Sequence, residues 1–161
     1  MNTPTDGGRG QRLSMIILAA MILTCGTLTA AAQDKGVGLG VLLGEPTGLS
    51  AKFWTSPNNA VGAGLSWSFR KHGFIHIHAD YLWHFPRAVA SSERFVLSAG
   101  IGGRLGAGHD AVLGVRVPFA LAWWPAGVPL DLFLELAPCI DLVPATEFAV
   151  MGGLGIRWFF Q

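Results

Sequence analysis

Three ionisable side chains at alternate positions, His76, His78 and Asp80, come closest to metal-ligand spacing in this sequence. On an extended chain they share one face, with alternate residues about 6.8 Å apart. Imidazole and carboxylate both bind divalent metals, but a tetrahedral site would need a fourth group from a neighbouring strand. The plainer reading is a set of histidines hydrogen-bonded inside a polar interior. A nucleophile, a base and an orienting group in mutual reach are not suggested anywhere, so the chain is read as a non-enzyme. Gly36-Val37-Gly38-Leu39-Gly40 and Gly100-Ile101-Gly102-Gly103 look superficially like nucleotide loops. No helix pattern follows them and no Gly-Lys-Ser/Thr occurs, so they mark places where strands curve or crowd.

The remaining charges are few and regularly placed. Charged residues make up 13% of the 161, and 51% are hydrophobic, where soluble domains average roughly 25% charged. A formal net charge of +1 offers no field to hold nucleic acid. With only Cys25 and Cys139, neither a disulfide scaffold nor a cysteine-rich zinc module is possible. Residues 1–32 read as a secretory signal peptide. Arg9 and Arg12 form its basic start, Leu13 to Leu28 its apolar stretch, and Ala30-Ala31-Ala32 an A-x-A-like cleavage site. Of the 11 Lys and Arg and 10 Asp and Glu, the leader takes Arg9, Arg12 and Asp6. Residues 33–161 are therefore formally neutral.

The elements that must position these groups alternate with period two. In Phe74–Phe85 one face is Ile75, Ile77, Ala79, Tyr81, Trp83 and Phe85, and the other carries His76, His78, Asp80 and His84. Arg94–Leu105, Val112–Trp123, Leu130–Ala137 and Glu147–Phe160 repeat the pattern, as do shorter runs near 37–43, 49–54 and 61–70. The count is eight strands joined by short turns, with Pro118 predicting a bulge in the sixth. Expected exposed loops are Glu45–Thr47, Arg70–Gly73, Gly106–Ala111 and Pro138–Thr146, the last being the foremost candidate for ligand contact.

A soluble barrel would point the apolar face inward; a membrane barrel inverts it. The polar faces here are rich in Gly, Ser and Ala, as a narrow interior requires. Most runs supply the roughly 9–11 residues needed to span. In an up-and-down order, Phe53, Tyr81, Trp83, Phe85, Phe95, Trp123, Trp158 and Phe160 gather at one rim, and Trp67, Phe69, Phe74 and Phe148 at the other. These are the two aromatic girdles of a membrane barrel. The expected fold is all-β: an eight-stranded antiparallel up-and-down transmembrane β-barrel after an N-terminal signal peptide.

Inward candidates are Glu45, Lys52, His76, His78, Asp80, His84, Arg94, Arg104, Arg116, Asp131, Glu135, Glu147 and Arg157. Enclosed charges are costly unless paired. The expectation is a network in which Arg104, Arg116 and Arg157 bind Asp131, Glu135 or Asp80. Eight strands leave an interior just wide enough for side chains, which favours a polar plug over a pore.

The C-terminal Gly155-Ile156-Arg157-Trp158-Phe159-Phe160 resembles the terminal signal strand of Gram-negative outer-membrane proteins, with Gln161 after the aromatic as a departure. That resemblance implies that Gly155, Trp158 and Phe160 are read by the barrel assembly machinery. Gly44–Lys52, His76–Trp83, Gly100–Arg104 and Glu135–Pro138 resemble a family of small eight-stranded outer-membrane barrels of unknown function, found in spirochaetes and other Gram-negatives. The resemblance implies an outer-membrane location, with lipid as the surrounding partner and any extracellular ligand unidentified. No cofactor is expected. Barrel deacylases use a His-x-Ser pair facing lipid, and no His-x-Ser occurs here. The expected role is structural or surface-interacting. The alternatives are a narrow pore for small solutes and a soluble periplasmic lipocalin-like binding barrel.

Overall fold

The computed structural model describes residues 35–68, 74–86, 88–89, 94–108 and 111–160. The expected leader at 1–32, the loop Arg70–Gly73 and Phe69 lie outside the described residues. What is described is all-β and antiparallel, with nine strands and no helix: β1 (Val37–Glu45), β2 (Thr47–Ser56), β3 (Asn59–Ser68), β4 (Phe74–Phe85), β5 (Phe95–Ala107), β6 (Val112–Arg116), β7 (Phe119–Trp123), β8 (Leu130–Val143) and β9 (Glu147–Phe160).

The pairing order is β4-β3-β2-β1-β9-β8-β6-β5-β7, and β4 also pairs with β5 and β8 with β7. Each described strand thus has a hydrogen-bonded neighbour on both sides. Connections are short because antiparallel neighbours need only hairpins. Pro46 alone links β1 to β2, and the Thr47 hydroxyl closes the turn by donating to the Gly44 carbonyl (2.8 Å) and accepting from its N–H (3.2 Å).

Two strands replace the single sixth strand expected from sequence, and the reason is Pro118. Arg116 pairs with Gly102 and Cys139, and Phe119 pairs with Ala99 and Leu136. The register on either side of Val117-Pro118 is the same, so no bulge forms there, which corrects the expectation. The ladder is thinned instead. Gly100 donates to the Pro118 carbonyl and Val117 to the Pro138 carbonyl, both at 2.9 Å. Neither proline has an N–H to return the bond. Register shifts fall at Trp54/Ser56 and at Leu113/Gly114.

A second correction concerns Pro138–Thr146. Pro138 suggested a strand end, yet β8 continues to Val143 with Cys139 and Asp141 buried and Ile140 and Leu142 exposed. Pro138 lies opposite Val150. Its single missing donor does not break the pairing, and the connection to β9 shrinks to Pro144–Thr146.

Burial follows the alternation in an unusual sense. Lys52, Arg116 and Asp131 are 2%, 1% and 0% exposed, while Leu43, Leu154 and Phe148 are 65%, 64% and 72% exposed. The apolar face of nearly every strand looks out, and the ionisable face is enclosed.

Glycine makes room on the enclosed face. Phe133 lies opposite Gly155, and a Cβ there would sit 2.1 Å from the Phe133 ring. His78 lies likewise over Gly64, its cross-strand partner.

Candidate functional site

Among the described residues, four cations and four carboxylates of the enclosed face form three ion-paired groups. In the first, Asp131 Oδ2 accepts from Lys52 Nζ at 3.1 Å and from Arg157 Nη2 at 3.0 Å and Nε at 3.1 Å. Asp131 and Arg157 are direct cross-strand partners. Arg157 also lies 3.7 Å over the Phe133 ring and donates to Ser50 Oγ at 3.3 Å. In the second, Arg116 bridges Asp80 (3.3 Å) and Glu135 (2.5 Å). In the third, Arg104 donates Nη2 to Asp141 at 2.7 Å and Nη1 to Met151 Sδ at 3.0 Å. The groups carry surplus charges of opposite sign: two cations share Asp131, and two carboxylates share Arg116. The eight charges cancel, as enclosure requires.

The structure brings together most of the network read from sequence, with one exchange of partners. Arg157 meets Asp131, and Arg116 meets Glu135 and Asp80. Arg104 pairs with Asp141 rather than with any of the three expected carboxylates. Asp141 was missed because it fell in the supposed loop after Pro138; the alternation Cys139, Ile140, Asp141, Leu142 is the signal that could have found it. Lys52 was an inward candidate without an assigned partner and proves central. Two inward candidates are corrected. Arg94 is exposed, with its guanidinium 5.9 Å from the Trp124 ring, and Glu147 is exposed at the first position of β9.

His76, His78 and Asp80 share the enclosed face of β4 as expected, but the structure spends Asp80 on Arg116. His78 Nε2 approaches Asp80 Oδ2 only to 3.9 Å. Among the described residues no group of three or more His, Cys, Asp or Glu is arranged to hold a metal.

The two ends of the enclosed face differ. Toward the β2–β3 turn, Trp54, Trp124 and Phe133 cluster with Val96, Ala122 and Leu42. The Trp54 ring stands 4.3 Å from His84 and 5.9 Å from Trp124, and Lys52 Nζ lies 5.5 Å from it. At the opposite end a cavity of about 200 Å³ is lined by Glu45, Pro46, Ser68, His76, Arg104, Ala149, Val150 and Met151. Ser68 Oγ donates to the Glu45 carboxylate.

The expected assembly residues occupy the end of β9. Phe160 and Trp158 lie opposite Val37 and Leu39 of β1, and Gly155 sits under Phe133. That glycine has a packing reason of its own, independent of any recognition signal. Comparison with protein-family models, curated proteins and solved structures finds no match to this chain.

Proposed function

We propose that this chain is an integral outer-membrane protein: an eight-stranded up-and-down β-barrel, with β6 and β7 acting as one strand, whose interior is a polar plug and whose role is structural or surface-interacting. The observation that carries the reading is the inverted burial. A water-soluble protein rarely exposes a contiguous apolar patch beyond a few hundred Å². Here exposed large apolar residues occur on every strand, from Leu39 on β1 to Phe160 on β9. Lipid is the solvent in which such a face is stable.

Three further features support it. Described strands paired on both sides leave no open sheet edge facing hydrocarbon. Strand lengths of 9 to 14 residues for β1–β5, β8 and β9 meet the roughly 9–11 needed to span. Aromatic residues sort by height: Phe53 and Phe160 both lie opposite Val37, and Phe95 opposite Trp123. Trp67 and Phe148 lie at the far ends, opposite Ile75 and Ile140. The C-terminal resemblance to an assembly signal and the leader-like residues 1–32 agree with this location. The ion-paired middle and the Trp54–Trp124–Phe133 cluster leave little room for conduction, which favours a plug over a pore.

The test is expression in a Gram-negative host followed by fractionation and electrophoresis with and without boiling. The proposal expects the protein in the detergent-requiring outer-membrane fraction, migrating differently when unheated. Recovery in the periplasm without detergent would refute it.

A further inference from the structure

The cavity between the ends of β1, β3 and β9 differs from the rest of the enclosed face in its charge balance. Among the described residues, every other enclosed carboxylate is in an ion pair with Lys or Arg. Here Glu45 stands apart: among the described residues it is in no ion pair, and its carboxylate is held by the Ser68 hydroxyl. Arg104 lines the same space. One edge of its guanidinium is committed to Asp141, but Nη1 donates to Met151 Sδ, and a thioether is only a weak acceptor. Among the described residues the cavity therefore presents a carboxylate in no ion pair and a buried guanidinium with a donor poorly used.

Cavities that hold drug-sized ligands run to roughly 300–1,000 Å³. At about 200 Å³ this one suits a smaller molecule. A lone cation would meet Arg104, and a lone anion would meet Glu45. A molecule carrying both charges satisfies both walls: its ammonium faces Glu45, and its carboxylate takes the Arg104 donor from the thioether in a charge-assisted bond. Val150, Pro46 and Ala149 leave apolar room for a short substituent.

We propose that this cavity is a binding site for a small zwitterion bearing an ammonium and a carboxylate, such as a short amino acid, held between Glu45 and Arg104. The site depends on the local geometry, not on the membrane location, so its failure and the failure of the outer-membrane reading are separately visible.

The experiment is calorimetry with glycine as probe, on the full mature chain refolded in detergent micelles, with methylammonium and acetate as single-charge probes. Saturable glycine binding with a dissociation constant of order 1 mM is expected, with each single-charge probe at least ~10-fold weaker. Glu45→Gln keeps the shape and a hydrogen-bond acceptor for Ser68 and should weaken glycine binding at least ~10-fold. Met151→Leu conserves volume and removes the acceptor that competes for the Arg104 donor, so binding should tighten. Glu147→Gln, outside the cavity, should change nothing. The proposal is overturned by absence of saturable glycine binding, by a single-charge probe that matches glycine, by a Glu45→Gln variant that binds like the parent, or by loss of binding in Met151→Leu.

Discussion

Replacing Asp131 by Asn removes one negative charge from the most enclosed point of the fold. The side chain is fully buried, and its Oδ2 is within 3.1 Å of both Lys52 Nζ and Arg157. Asparagine keeps the shape and one acceptor oxygen, so packing is unchanged and the loss is electrostatic. Removing one partner of a buried ion pair costs about 3–5 kcal/mol, and here two cations lose their shared partner at once. The upper half of that range is expected. With a urea dependence of about 2 kcal/mol per M, a loss of 4 kcal/mol moves the unfolding midpoint down by about 2 M. The assay is equilibrium urea unfolding in lipid vesicles, followed by tryptophan fluorescence and by the unheated gel shift. The double variant Asp131→Asn with Lys52→Met removes one of the stranded cations and should recover at least ~1 kcal/mol. A single Asp131→Asn variant within ~1 kcal/mol of the parent would refute the claim that this carboxylate holds the first charge group together.

Other substitutions probe other parts of the argument. Leu154→Arg, on the exposed face, should cost about 2–4 kcal/mol in a bilayer; vesicle unfolding that shows it neutral or stabilising would mean that this face meets water. A Cβ at Gly40 would fall 1.8 Å from the Ile156 carbonyl oxygen, whereas one at Gly103 meets only the Gly114 carbonyl at 3.9 Å. Gly40→Ala should therefore destabilise by about 1–3 kcal/mol and Gly103→Ala by no more than ~0.5 kcal/mol, read from the same unfolding curves. Phe160→Ala should lower the yield of the heat-modifiable form in cells several-fold while leaving refolding in vitro nearly intact; equal losses in both would assign Phe160 to packing alone.

The fold was legible because a two-residue period is hard to disguise. Ile75 to Phe85 and Phe148 to Phe160 declare their faces without any tertiary information, and the charges between them declare the enclosed side. Proline misled the reading twice, in different ways. Pro118 and Pro138 each remove one donor, and sequence cannot say whether the neighbouring strand tolerates the gap. Here the register carries through both: β6 and β7 are separated at Pro118 without a bulge, and β8 runs on past Pro138 to Val143. That extension decided the one missed ion pair, because Asp141 enters the interior only if β8 does not stop at Pro138. Some of the ion pairs depend on height across non-adjacent strands, as between Arg104 on β5 and Asp141 on β8 or Lys52 on β2 and Asp131 on β8. No local pattern encodes that distance. The cavity was equally hidden: Glu45, Ser68, Arg104 and Met151 come from four strands, and only their meeting at one end makes a site.

The adjacent prolines also give the wall a direction of failure. At Gly100/Pro118 and Val117/Pro138, neighbouring pairs on opposite sides of one dipeptide, each rung is nailed once instead of twice. A sheet whose described strands are all paired on both sides has no natural place to begin unravelling, but this one has been given a perforation. Solvent exchange of amide hydrogens and mechanical peeling should both start along that line, between β5 and β8, before any other boundary yields.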